Sequence, residues 1–584
     1  MDRTTRRSRD RTATRRRPLA VAAALALTGA AAGAAEIDTG NPDLKLRWDN
    51  TVKYSAAVRT GKQLDTLLSN SNNDDGDRNF GRGLISNRLD LLSELDAQWG
   101  SFGARVSGAA WYDSVYNRSN DNPGFAGGAF PNQLSVAGNE FTAATRKLHG
   151  RDAEVLDAFV FGRADLGDAR GSFRLGRHSV LWGESLFFGA NAIAGGQSPV
   201  DVIKLLSVPG TQFKEAIRPV PQLSAQLQAT PSISLGAYYQ LRWEKSRLPA
   251  VGSYFSQLDV NPDGAEQLLL PQAANGGIFL DGNAPRLADQ TPKNSGQGGL
   301  QLRFRGEDAD FGAYLIRFHD KTFQQVSNLG VRSVIYVPGP GCVVPGSFAT
   351  GPSSCGYVAP ASYQLVYHEG ITALGFSASR TFDSVNLAAE VSYRHNQDLA
   401  SSQSVDTTAL GGSPTNNSDN PGYAVGNTAH VNLSMLWQLP ATPLFKEAAM
   451  AGEIAWNRVL KITKNPAAVD PNATRDAASL RFVLEPLYRQ ALSGLDLGVP
   501  IGLGWSPKGS RSMALGPGTL PADGGGDLSI GLNGTYLDAW RISLAYTHYF
   551  GAAGTFIEGS DNHYSYKQSL KDRDFLSLAV RRTF

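Results

Sequence analysis

The residues best suited to chemistry in this chain cluster between Arg174 and Asp201. Arg174, Gly176, Arg177, Trp182, Gly183, Glu184 and Ser185 are followed by Phe187, Phe188 and Asn191, then by Ser198-Pro199-Val200-Asp201. Ser-Pro with a nearby Asp is a helix-start signal, so a short helix is expected over Val200–Leu206, stopped by Pro209-Gly210. Aromatic, carboxylate and ammonium groups mixed in this way, with Lys204, Lys214, Glu215 and Arg218 beyond, suit the narrowing of a water-filled passage. Trp182, Glu184, Ser185 and Lys204 are the expected constriction. An ordinary surface loop is the alternative.

Other reactive groups give little. Cys342 and Cys355 lie close together in a Gly/Pro-rich stretch, and in an exported protein a local disulfide is the default reading. The 8 histidines are scattered, and no HExxH, GxSxG or EF-hand spacing accompanies them. Asn72-Asn73-Asp74-Asp75-Gly76-Asp77 is acidic enough to suggest calcium, but it lacks the EF-hand's distant Glu and reads as a solvated loop. No catalytic residue, metal site or cofactor is expected, although a Ser/His pair formed only in space would escape a sequence.

The elements that carry these groups are strands. From Leu44 to Val58 the even positions read Leu44, Leu46, Trp48, Val52, Tyr54, Ala56 and Val58, against Lys45, Arg47, Asp49, Thr51, Lys53 and Ser55. A period of two with one apolar face is a half-buried strand. It returns in Leu89–Trp99, in Ile233, Leu235, Ala237, Tyr239, Leu241 and Trp243, and in Trp540–Thr547. Long polar connections near 60–83, 117–153, 181–219, 244–298, 320–368, 397–426, 461–476, 506–527 and 551–572 alternate with short turns. The turns lie near 100–101, 165–170, 230–231, 306–309, 381–384, 438–447, 485–494 and 537–539. That rhythm predicts an all-β fold, a transmembrane antiparallel barrel of about 18 strands (16–18) with long extracellular loops, the third a candidate for folding inward. Trp48, Trp99, Trp243, Trp437, Trp456 and Trp540 are the expected interfacial aromatics. A soluble secreted β-protein is the alternative.

Residues 1–17 hold eight of the 55 basic residues, followed by the Ala/Leu-rich run Leu19–Ala35, a pattern expected of a cleaved secretory leader over 1–35. The remaining 36–584 form one expected domain, with 47 basic and 51 acidic residues after eight Arg and two Asp are removed. That balance excludes a basic nucleic-acid binder. Leu576, Leu578, Val580 and Phe584 share one face and resemble the C-terminal signal read by the bacterial barrel-insertion machinery, with Arg582 departing from it.

The run R-x-G-R-x-x-x-x-W-G-E-S from Arg174 to Ser185 resembles a proteobacterial outer-membrane family, domain of unknown function 1302 (DUF1302). Asn73-Asp74-Asp75-Gly76, Asn79-Phe80, Gly83–Leu89 and Trp111-Tyr112-Asp113 with Tyr116 are similar to its N-terminal block. The resemblance implies an outer-membrane barrel in contact with lipid and lipopolysaccharide. It also implies association with export or uptake of hydrophobic compounds beside an inner-membrane transporter of the resistance-nodulation-division (RND) type and a periplasmic partner. A Gly-Arg step followed by aromatic-Gly also occurs in substrate-specific 18-stranded porins.

The expected function is therefore a channel or export partner for small hydrophobic or amphipathic compounds. A porin for hydrophilic nutrients is the alternative, and an enzyme or adhesin on a filled barrel a more distant one. Alternation nominates Arg47, Arg88, Asp90, Glu94, Arg105, Asp113, Arg174, Arg303, Arg317, Glu390, Arg394, Arg481 and Arg541 as facing the lumen.

Overall fold

The computed structural model describes residues 35–124, 132–208, 212–270, 282–559 and 561–584. The leader expected over 1–35 lies, up to its last residue, outside the described residues, as does the Pro209-Gly210 helix stop. Eighteen antiparallel strands close into a barrel. They are β1 (Leu44–Arg59), β2 (Gly83–Trp99), β3 (Phe102–Asp113), β4 (Arg151–Leu166), β5 (Ala169–His178), β6 (Val220–Gln228), β7 (Ile233–Gln240), β8 (Gly298–Arg305) and β9 (Asp310–Phe318). The second half comprises β10 (Ile371–Phe382), β11 (Val385–Asp398), β12 (Val425–Leu439), β13 (Glu447–Lys464), β14 (Asp476–Leu492), β15 (Leu495–Gly498 and Ile501–Trp505), β16 (Gly526–Tyr536), β17 (Trp540–Phe550) and β18 (Phe575–Thr583). Each strand pairs with the next, and β18 pairs with β1, which removes the free edges. Phe584 completes the seam: it and Asn50 exchange two backbone hydrogen bonds, each 2.8 Å.

Why these strands face as they do follows from their surroundings. Leu91, Leu95, Val106, Val160, Leu175, Leu235, Leu300, Leu315, Leu433 and Ile454 all point outward and are exposed. An apolar wall this large would be a severe liability in water, whereas against hydrocarbon it costs nothing. Aromatics gather where the wall ends. Around the short turns stand Trp99 (69% exposed), Phe102, Phe304, Phe311, Phe382 and Tyr536, and toward the long loops Tyr112, Tyr239 and Tyr393. Such girdles mark the two faces of a bilayer, and a closed barrel carrying them belongs to the bacterial outer membrane.

One expectation about the rim changes. Trp243 lies beyond the end of β7 and is buried among Leu365, Tyr367 and Phe323, with its Nε1 donating to the Asp320 carbonyl at 3.0 Å. It is a loop-core residue. Arg582 faces outward, as the sequence pattern requires, with its guanidinium over the Trp540 ring at 5.0 Å. There its charge reaches the interface.

The long loops are structured. Gln324–Val334 and Ser354–Val366 form an antiparallel hairpin joined by Phe348–Gly351 and Val405–Asp406 in a four-stranded sheet. Cys342 and Cys355 are disulfide-bonded at its tip, with Val334 and Val344 packed beside them. The acidic run Asn73–Asp77 is buried rather than solvated, because the fourth long loop folds over it at Ser253–Asp259.

Candidate functional site

The connection from β5 to β6 does not stay outside. Residues 179–208 and 212–219 fold into the lumen and touch strands whose sequence positions lie hundreds of residues away. Glu390 on β11 accepts hydrogen bonds from the amides of Ile193 (2.5 Å) and Glu184 (2.9 Å). Glu453 on β13 accepts from the amides of Phe187 (2.5 Å) and Phe188 (2.7 Å). Arg394 reverses the polarity, donating to the carbonyls of Ala190 and Ala192 at 2.8 Å each. Strand carboxylates thus satisfy loop N–H groups while a strand guanidinium satisfies loop C=O groups, which lets backbone lie inside a barrel without orphaned polar atoms.

Asn191 is a fully buried anchor. Its Nδ2 donates to the carbonyls of Val431 and Trp456, 3.1 Å each, and to Asn432 Oδ1 at 3.0 Å. Its Oδ1 accepts from Asn457 Nδ2 at 3.1 Å and meets His430 Nδ1 at 3.0 Å. Apolar packing completes the grip, with Ile193 set among Tyr238, Tyr314, Ile316 and Phe318.

The sequence motif acquires physical reasons here. Arg174 lies over the Phe159 ring at 5.6 Å, and Arg177 makes a two-point pair with Glu244 at 2.5 and 3.1 Å. Trp182 meets Tyr238 edge-on at 5.0 Å, and its amide donates to Gln197 at 2.7 Å. Gly183 has φ +95°, and a Cβ there would be strained and would push the Glu390 carboxylate out of place. The Glu184 carboxylate stands 3.8 Å from Arg303, and Ser185 Oγ is buried with no partner among the described residues. The expected helix forms over Val202–Ser207 rather than Val200–Leu206. Asp201 caps it by accepting from the Lys204 amide at 3.1 Å, and Val200 is drawn into a bridge with Ile217. Lys204 Nζ donates to the Glu215 carbonyl at 2.6 Å, tying this helix to the next turn, Phe213–Ala216.

On the wall, Arg88 pairs with Asp90 at 2.7 Å and lies over Trp111 at 5.0 Å. Arg105 joins Glu94 and Asp96, the latter at 2.8 Å. Arg481 pairs with Asp527 at 2.5 Å. These groups share the face opposite the exposed leucines. Arg317 does not: it lies on the outward side with Leu315, because Tyr314, Ile316 and Phe318 turn inward to meet the loop. Alternation finds the two faces of β9, but here the apolar one lines the filled lumen.

Glu453, Lys53 and Arg581 were not singled out as site residues in the sequence. Alternation with Ile454 and Trp456 was the available signal for Glu453, and that with Leu578 and Val580 for Arg581. Lys53 sits directly opposite Arg581, and Arg581 directly opposite Arg541, across β1, β18 and β17. Arg541 and Arg581 have no ion-pair partner among the described residues, and Lys53 has only Asp90 at 3.9 Å. Three cations side by side repel one another, so this row is a standing positive potential on the lumen wall. Lys204 of the inward loop lies within electrostatic reach of Lys53.

A family model described as "Protein of unknown function (DUF1302)" matches residues 16–584. The chain belongs to the DUF1302 family. No curated protein matches it. Among solved structures it is similar to Acinetobacter baumannii OccAB4, at 7% identity and TM-score 0.41 with 92% of this chain and 98% of that chain covered. OccAB3 of the same organism gives 11% identity, TM-score 0.40 and coverage of 92% and 99%. Pseudomonas aeruginosa OccK2 (OpdF), solved in complex with glucuronate, gives 10%, 0.37, 92% and 98%. In this DUF1302 chain the W-G-E-S segment is thus the start of the lumenal loop, with its glycine pressed on Glu390.

Proposed function

We propose that this barrel is a passive outer-membrane channel whose bore is set by the third long loop, with Trp182, Glu184, Ser185 and Lys204 in the constriction. The observation that carries the reading is the fastening of residues 184–193 to Glu390, Glu453 and Arg394 on the far wall. A loop held at both polarities narrows a pore without closing it by collapse. Small amphipathic solutes are the substrate class put first, since Trp182 and Phe187 stand beside Glu184 on the same segment. A porin for hydrophilic anions is the second reading, favoured by the row Lys53, Arg581 and Arg541. Export with an inner-membrane RND-type transporter, and insertion guided by Phe584, belong to the same proposal.

Catalysis is less well supported. His178 Nε2 stands 2.7 Å from Ser224 Oγ, but its Nδ1 meets the Gly176 carbonyl at 3.1 Å rather than the carboxylate that would stabilise an imidazolium. Planar-bilayer recording of the purified barrel tests the channel reading: discrete conductance steps are expected, and a silent folded barrel would favour a filled enzyme or adhesin. Liposome swelling then separates the solute classes, a neutral sugar reporting the porin and an aromatic carboxylate the amphipathic channel.

A further inference from the structure

Asp74 and Asp75 in the first long loop and Asp259 in the fourth meet in the loop assembly outside the membrane. All three are buried, and one carboxylate oxygen of each lies within 4.8 Å of the others. Asp74 has a cation, Arg78, whose Nε is 2.5 Å away. Asp75 and Asp259 have none within ion-pair distance among the described residues. Asp75 Oδ1 accepts only from Asn122 Nδ2 at 3.2 Å. Asp259 Oδ2 accepts the Asp75 amide at 3.0 Å, while Asp259 Oδ1, on a side chain with 0% exposure, has no hydrogen-bond partner within bonding geometry among the described residues. A fully buried carboxylate oxygen left bare is among the least favourable arrangements a protein can hold, unless a cation completes it.

The surrounding charges give the same answer. Asp77 and Asp572 flank the cluster and are matched by Arg59, at 2.6 and 3.1 Å, with Arg573 at 4.0 Å from Asp77. Five carboxylates therefore face three guanidinium groups, and two negative charges remain without a counter-ion. Every converging donor is an oxygen, which selects a hard divalent ion rather than a transition metal. A cavity of about 310 Å³ lined by Asp75, Asn79, Asn122, Gln133 and Glu140 reaches the cluster at Asp75. It gives an ion a way in, and water room to complete an irregular oxygen shell, which calcium accepts more readily than magnesium.

We propose that Asp74, Asp75 and Asp259 bind one calcium ion, which locks the first and fourth long loops together above the barrel. Through Asn122 the second long loop is held as well. The site is independent of the channel reading. In its absence, burial pushes the Asp75 carboxyl up to about 7 and Asp259 well above the usual carboxylate range, so protons take the place of the ion.

Full-length barrel refolded in detergent free of lipopolysaccharide, stripped with EDTA and titrated with CaCl₂ in a calorimeter at pH 8, tests this. One calcium per barrel is expected, with affinity at least tenfold weaker in Asp75→Asn and in Asp259→Asn. Heat-modifiable gel migration checks that both variants fold. Absence of binding by the folded wild type, or binding unchanged in both variants, overturns the proposal. Where a variant fails to fold, hydrogen exchange of the wild type with and without calcium decides. Protection gained over residues 72–79 and 255–261 supports the site, and none gained overturns it.

Discussion

Gly183 packs directly against the Glu390 carboxylate, and through that contact a motif on one side of the barrel is fixed to a strand on the other. Glu390 on β11 holds Glu184 and Ile193 by their amides, bracketing the segment that crosses the lumen. A hydrogen bond to a charged acceptor contributes roughly 1.5–3 kcal/mol. Glu390→Ala should therefore speed amide exchange over residues 183–194 by about tenfold or more in the intact barrel, while strand amides stay protected. Mass-spectrometric exchange measures this.

The row Lys53, Arg581 and Arg541 makes a separate prediction. Arg541→Gln with Arg581→Gln removes two unpaired cations that face one another across β17 and β18. The zero-current potential in a KCl gradient should move toward cation selectivity by roughly 10 mV or more, with the single-channel conductance changed less than twofold or so. An unchanged potential would place the row outside the ion path.

Cys342 and Cys355 are 13 residues apart, and closing a loop of that size contributes about 3 kcal/mol in the chain-entropy account. Because the bond ties only the tip of the loop sheet, reduction should leave the heat-modifiable barrel intact. Protease cleavage between 336 and 353 should quicken by about tenfold or more.

The buried acids of the loop assembly set a pH dependence with a definite sign. Burial raises the Asp75 carboxyl to about 7, Asp74 to about 6, and Asp259 well above its ordinary 3.8. Unfolded, these groups ionise near pH 4, so between pH 4 and 7 the folded loops bind more protons and lose stability as pH rises. His149, buried and held down to about 3, acts oppositely as pH falls below about 6.5, but it is one group against these three and Asp572, which burial raises to about 6. Arg78, Arg59 and Arg573 face the acids. With chelator present, exchange over residues 72–79, corrected for intrinsic rate, should be at least about tenfold slower at pH 5.5 than at pH 8.

Much of the barrel was legible in the sequence because a lipid-facing wall forces one apolar face on every strand. Turns such as Gly100-Ser101 and Leu537-Asp538-Ala539 interrupt that pattern where the strands end. The filling of the lumen was not legible to the same degree. Phe187 meets Glu453 across 266 positions of sequence, and no local pattern encodes that distance. For the same reason Arg317 was placed on the wrong face: alternation cannot say which apolar side meets lipid and which meets an inward loop. The acidic run at Asp74–Asp77 looked solvated because its cover, Ser253–Asp259, comes from another loop entirely.

The central claim is that the third long loop, anchored through residues 184–193, sets the bore. Single-channel conductance of Trp182→Ala with Glu184→Ala, compared with the wild-type barrel in the same bilayer and salt, tests it most directly. The account predicts a rise of about 1.5-fold or more, with the ion selectivity altered as Arg303 loses its partner. Conductance equal to the wild type, in a variant that still migrates as a folded barrel, would contradict it.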